Sequence, residues 1–189
     1  MIVIGLSGRR ESGKDSTADW LELNSPTLWP GKRVRKFALA GVLKEIAIAM
    51  FGVPHACAYG SNALKDTPLP HLPGSPTVRG VLQRLGHAYR DIWEDVWVAK
   101  MFAVVDAYRP DVCIITDVRC VNEIAWIRKR GGKVVRLLRA PHEGDTHTSE
   151  TDLDGFSGFD GVVDNRAMSE SERNGAVLRE LIRLGCVEV

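Results

Sequence analysis

The chain has almost no excess of charge: 25 Lys and Arg stand against 24 Asp and Glu, a formal net charge of +1 over 189 residues. A near-neutral protein lacks the broad positive field that holds nucleic acid, so no direct nucleic-acid partner is expected. Its basic residues have to be judged by position, as at Arg9 with Arg10, at 32–36 and at 128–133. Cysteine is scarce. Cys57, Cys113, Cys120 and Cys186 form no CxxC pair and no zinc-like grouping with the five histidines. Two of them stand in apolar surroundings and read as small core residues in a reducing, cytoplasmic setting. Also missing are an apolar run approaching the length of a membrane span and a charged segment ahead of the first apolar run, so neither membrane insertion nor secretion is expected. There is no internal repeat and no low-complexity tail. The length suits one sizeable core and is short for two, which predicts a single domain over 1–189.

The stretch that is richest in meaning runs from Ile2 to Thr17, IVIGLSGRRESGKDST. Its apolar start, Ile2 to Leu6, has the length of a buried strand. Gly8 and Gly13 follow, four residues lying between them, and Lys14 opens a helix-like segment. This is the P-loop pattern, in which glycines let successive backbone N–H groups turn inward around a phosphate. Lys14 would reach the terminal phosphates, and the helix would point its partly positive N-terminus at them. The plain alternative is a strand-to-helix turn carrying an exposed Lys. One position departs from the general pattern: Asp15 stands where Ser or Thr usually holds Mg²⁺, and the hydroxyls come later, at Ser16 and Thr17. Asp15 either meets the metal or favours the first helical turn through the helix dipole.

Further along, 16–23 reads as a helix with Trp20 as a packing residue, 32–37 as the second strand, and 42–51 as a helix stopped by Gly52. Residues 53–77 carry Pro54, Pro68, Pro70, Pro73 and Pro76 and no sustained period, which predicts a structureless surface excursion beside the substrate cleft. Helical spacing resumes over 77–85, with Arg79 and Gln83 on the polar face. The longest helix is predicted over 90–108, where Trp93, Trp97, Met101 and Val104 form a stripe that reads as core rather than as a base-stacking platform. Residues 112–116 form another buried strand, ending in Asp117-Val118-Arg119. Asp117 fits a Walker B position at the carboxyl end of a strand, or an N-cap for the helix 122–130. A strand at 133–138, a polar, glycine-rich and mobile loop at 142–161, a short strand at 161–165 and a terminal helix over 169–184 complete the chain. Strands alternating with helices predict a three-layer α/β fold with a five-stranded parallel sheet.

With these parts placed, the chain resembles the deoxynucleoside monophosphate kinases of tailed bacteriophages, nearly end to end. The resemblance rests on Ser7-Gly8-x-x-x-Ser12-Gly13-Lys14-Asp15-x-Thr17-Ala18-Asp19, Leu39-Ala40-Gly41-x-x-Lys44, Val78-Arg79, Gln83-x-Leu85-Gly86 and Trp97-Val98-x-Lys100. It continues through Asp117-x-Arg119-x-x-x-Glu123, Val135-x-x-x-Arg139 and Asp145-Thr146-His147-x-x-Glu150. Asp15 matches this family's version of the loop; Ser16 stands where Thr is expected, and 53–77 is abbreviated relative to larger members.

The resemblance implies a P-loop kinase fold, with an acceptor-side insertion at about 53–90 and a lid-like loop at about 140–161. It implies phosphorylation of deoxynucleoside monophosphates by ATP with Mg²⁺, supplying DNA precursors in the cytoplasm, of a host cell if the protein is phage-encoded. Arg9, Gly13, Lys14, Asp15, Ser16, Thr17 and Asn165 would then hold ATP, with Asp15, Ser16 and Asp117 toward the metal. Arg10, Phe37, Leu39, Arg79, Gly86, Trp97, Arg119, Glu123 and Glu150 would face the acceptor, and Lys14, Arg79, Asp117 and Arg119 would serve the transfer. Guanidinium groups suit the acceptor's phosphate because their fork binds it bidentately, although any one of these arginines could instead belong to a surface ion pair. Two other readings remain open: another small-molecule P-loop kinase, of the dephospho-coenzyme A or phosphomevalonate type, and a non-catalytic module that binds ATP as a switch. A homodimer is left open as well.

Overall fold

A computed structural model describes residues 1–139 and 152–188. Its centre is a sheet of five strands in the order β2-β3-β1-β4-β5. The strands are β1 (Ile2–Gly8), β2 (Val34–Phe37), β3 (Val112–Val118), β4 (Lys133–Leu138) and β5 (Gly161–Asp164), and every neighbouring pair is parallel. The three-layer α/β expectation therefore holds. β1 and β3 are buried almost throughout, which is why they read as unbroken apolar runs rather than alternating ones. On one face Ile4, Leu6, Ile114, Val135, Leu137 and Val163 pack against Ala18 and Leu21 of α1 (Lys14–Leu23) and against Ala176, Val177 and Leu181 of α9 (Glu170–Arg183). Trp20 joins this core at its margin, as the sequence suggested. The short α2 (Ser25–Leu28) follows α1, and α8 (Val121–Lys129) packs on β1 and β4.

The chain divides into two compact units, one formed by residues 1–38 with 103–189 and the other by 39–102. The first holds the sheet. The second contains α3 (Gly41–Phe51), α4 (His55–Tyr59), α5 (Asn62–Lys65) and α6 (Val78–Ile92), and the unit boundary falls within α7 (Val96–Tyr108). Here two expectations are corrected. Residues 53–77 are not structureless: they form α4 and α5 and an antiparallel bridge between Pro68 and Thr77. Val53, Cys57, Ala58 and Leu69 close a small core with Ala47, Val78 and Val81. These helices have only five and four residues, too short for a 3.6-residue period to show.

The predicted long helix over 90–108 is in fact the end of α6 and the whole of α7, divided at Trp93, whose backbone is extended at φ −154°. The break splits the apolar stripe. Trp97 and Met101 are buried, while Trp93 and Val104 are about half exposed. α6, with 15 residues, is the longer helix, and Thr77 caps it by accepting the Gly80 N–H at 3.1 Å.

Candidate active site

The loop between β1 and α1 is built on two glycines for two different reasons. A Cβ on Gly8 would lie 2.5 Å from the Ser12 hydroxyl and 2.9 Å from the Leu137 carbonyl oxygen, so the turn closes too tightly for any side chain. Gly13 has φ 92°, in the left-handed region, and a Cβ there would meet the guanidinium of Arg173 at 2.4 Å. Between them Glu11 also has a positive φ, 59°. The loop is further fixed by the Ser12 N–H donating to the Arg9 carbonyl at 3.2 Å. Asn165, at the carboxyl end of β5, donates its amide Nδ2–H to the Ser12 carbonyl at 2.9 Å. Asn165 is buried, and its Oδ1 has no hydrogen-bond partner among the described residues. Its role in this geometry is to hold the P-loop.

Lys14 is buried, and its ammonium donates to the Arg9 carbonyl at 2.7 Å and toward the Ser12 hydroxyl at 3.4 Å. Burial pulls its pKa from 10.5 down to about 7, and the positive charges of Arg119 and Arg136 push the same way against Asp15 and Asp117. Lys14, Arg119 and Arg136 thus gather where the loop would hold an anion. Asp15 is exposed in the first turn of α1. Asp117 lies within β3 and is not the cap of α8; Cys120 takes that place, and Glu123 three residues on reaches back. The Glu123 carboxylate, 2% exposed, accepts the backbone N–H groups of Arg119 at 2.7 Å and Cys120 at 3.0 Å. It therefore fixes the turn from which Arg119 projects, at the end of the strand beside the P-loop strand.

The Ser16 and Thr17 hydroxyls both meet side chains of α9. The Ser16 hydroxyl donates to the Gly13 carbonyl at 3.2 Å and accepts from Arg173 at 2.9 Å. Thr17, with no exposure, donates to the Asn174 amide oxygen at 3.0 Å and accepts from Arg173 at 2.8 Å. Arg9 makes a two-point ion pair with Asp154, which also accepts from Arg136 at 3.1 Å. Arg136 in turn donates to the Ser7 hydroxyl at 3.0 Å. Arg10 lies 3.7 Å from Glu11. Phe37 ends β2 and meets the Tyr108 ring edge-on, the centroids 6.1 Å apart.

Leu39, Arg79, Gly86 and Trp97 belong to the second unit. Arg79 donates to Asp66 at 2.7 Å and to the Asn62 carbonyl at 3.2 Å. Trp97 donates its indole N–H to the Gly86 carbonyl at 3.1 Å, and Leu39 is buried. Glu150 and most of the lid-like loop at about 140–161 lie outside the described residues. The described part of that loop, 152–161, carries Leu153 in the core and Asp154 on the two arginines.

No family model matches the chain. A protein of Acanthamoeba polyphaga mimivirus, provisionally named a deoxynucleotide monophosphate kinase, is 27% identical over 185 residues, which span 90% of this chain and 92% of the viral one. The chain is similar to that protein over nearly its whole length. Among solved structures, shikimate kinase from Bacteroides thetaiotaomicron aligns over 97% of both chains at 13% identity and a TM-score of 0.43.

Sequence reading passed over three charged groups at this site. Arg173 falls four and eight residues before Val177 and Leu181, on the buried stripe of α9, and a charge at an apolar position of an amphipathic helix is a signal in itself. Arg136 interrupts the apolar run Val134-Val135-Arg136-Leu137 in the same way. Asp154 gave no such signal, because it sits in a polar, glycine-rich stretch where an acid is ordinary.

Proposed function

We propose that the protein transfers the γ-phosphoryl group of ATP to deoxynucleoside monophosphates. An oxygen of the acceptor's phosphate would bond to the γ-phosphorus as the bond to the β,γ-bridging oxygen breaks, leaving ADP and a deoxynucleoside diphosphate. The observation that carries the reading is the buried Lys14 at the N-terminus of α1, over a loop closed to side chains at Gly8 and Gly13, with Asp117 and Arg119 at the end of the adjacent strand. Phosphoryl transfer asks mainly for positioning and for neutralising charge on an in-line phosphate, and these groups can supply both. The full-length similarity to the mimiviral protein supports the choice of acceptor.

The residues present suit Mg²⁺ as well. Mg²⁺ binds through one or two carboxylates, waters and substrate phosphates rather than in an all-protein cage. Asp15 and Asp117 would hold it, since the Ser16 hydroxyl is occupied with Gly13 and Arg173. When bound, the ion neutralises charge on the phosphates. Arg10, Arg79 and Arg119 remain the proposed acceptor-phosphate residues. Phe37, Leu39, Gly86, Trp97, Glu123 and Glu150 remain the proposed surroundings of the acceptor.

The test is a panel of acceptors incubated with labelled ATP: the deoxynucleoside monophosphates, the ribonucleoside monophosphates, dephospho-coenzyme A and phosphomevalonate. Labelled deoxynucleoside diphosphate is expected. Label on a non-nucleotide acceptor alone would replace this reading with another small-molecule kinase. ATP turnover that needs DNA and no acceptor would replace it with a switch.

A further inference from the structure

Arg173 is a buried cation with too little negative charge around it. Its residue is 4% exposed. Its Nε donates to the Thr17 hydroxyl and the Asn174 amide oxygen, and its Nη2 to the Ser16 hydroxyl, the Asn174 oxygen and Glu170. Of these acceptors Glu170 alone is an acid, and its side chain is 65% exposed. A carboxylate so well solvated compensates a buried charge weakly. The remaining nitrogen, Nη1, has no hydrogen-bond partner among the described residues and is the atom nearest to where a Cβ of Gly13 would stand.

We propose, on the reading of the P-loop as a nucleotide site, that Arg173 is a donor-phosphate residue. Its Nε and Nη2 lock the first turn of α1 through Ser16 and Thr17, and its Nη1 edge lies beside Gly13 to meet the bound polyphosphate. The phosphate charge is then shared between Lys14 from the loop and a guanidinium from α9, far away in sequence. Gly13 is glycine for a second reason beyond its backbone angle, since a methyl group there would displace the guanidinium.

The experiment compares equilibrium binding of ATP, inorganic tripolyphosphate and adenosine to the full chain and to Arg173→Lys, Arg173→Met and Glu170→Gln, with thermal melting in parallel. Arg173→Met should weaken ATP and tripolyphosphate by about ten- to a hundredfold and leave adenosine unchanged, as expected for loss of a charge-assisted contact. Arg173→Lys keeps the charge and loses the fork, so it should melt as low as the Met variant yet bind tripolyphosphate several-fold more tightly. Glu170→Gln keeps an acceptor for Nη2 and removes the acid that faces the guanidinium, which should tighten tripolyphosphate binding about twofold. Equal losses in the Lys and Met variants, tracking their melting temperatures, would make Arg173 a structural brace and overturn the proposal. Weakened tripolyphosphate binding in Glu170→Gln would also overturn it. ATP binding by the wild type without phosphorylation of any acceptor would instead remove the kinase reading, and the binding series would still judge Arg173.

Discussion

Lys14 offers a measurement in which proton and nucleotide are counted together. Burial holds its pKa at about 7 rather than 10.5, which at about 1.36 kcal/mol per pH unit is a penalty of about 5 kcal/mol on its charged form. A polyphosphate beside the amine would return most of that penalty and draw the pKa back up. At pH 8 the amine of the protein alone would be about one-tenth protonated, and that of the complex almost fully, so binding should take up about 0.9 proton. The phosphates of ATP have lost their last proton by that pH, with a second pKa near 6, and do not confuse the count. Isothermal titration at pH 8 in two buffers of different ionisation enthalpy reads the uptake directly. Above pH 8 the affinity should fall by about tenfold per pH unit. The unliganded protein should show the opposite sign of pH dependence: its unfolded state binds the extra proton between about 7 and 10.5, so its stability should rise with pH across that window. Lys14→Met should abolish both effects and most of the turnover. Binding heats independent of the buffer at pH 8 would show that the amine is already charged in the loop, and the argument from burial would fail.

Asp15→Asn should raise the Mg²⁺ concentration for half-maximal turnover several-fold; if Asp15 serves only the helix dipole, the metal requirement stays put and stability drops by about 0.3 to 1 kcal/mol. Glu123→Ala should cost about 2 to 3 kcal/mol by leaving two backbone N–H groups unsatisfied, a fall of roughly 4 to 12 °C in Tm; an unchanged melting curve would mean that the turn at Arg119 holds itself. Arg79→Ala should raise the KM for the monophosphate about tenfold or more while ATP affinity stays constant, and Lys should not fully rescue it; the reverse pattern would assign Arg79 to the donor.

The sheet was legible in the sequence because its central strands β1, β3 and β4 are buried on both faces and read as apolar runs, with helical patterns between β1, β2, β3 and β4. The P-loop was legible because glycine and lysine at fixed spacing have few other uses. What escaped was whatever depends on contacts distant in the chain. The end of α6 at Trp93 left no proline or glycine to mark it, so two helices read as one. Ser16 and Thr17 invited a metal and nucleotide role through their hydroxyls, and only the fold brings Arg173 and Asn174 to them.

That long reach also orders the making of the molecule. The Ser7 hydroxyl finds the Val118 carbonyl 111 residues away, and Thr17 finds Asn174 at a separation of 157. The helices α3 and α6, by contrast, pack within a span of about fifty residues, and such local closures come early and cheaply in folding. On the ribosome, the loop must wait for a helix whose Asn174 is made 157 residues after Thr17. Until α9 has emerged, Ser16, Thr17 and Gly13 lack their guanidinium, and a chain stopped short of Arg173 should have its first strand and helix yet no competent grip on a nucleotide.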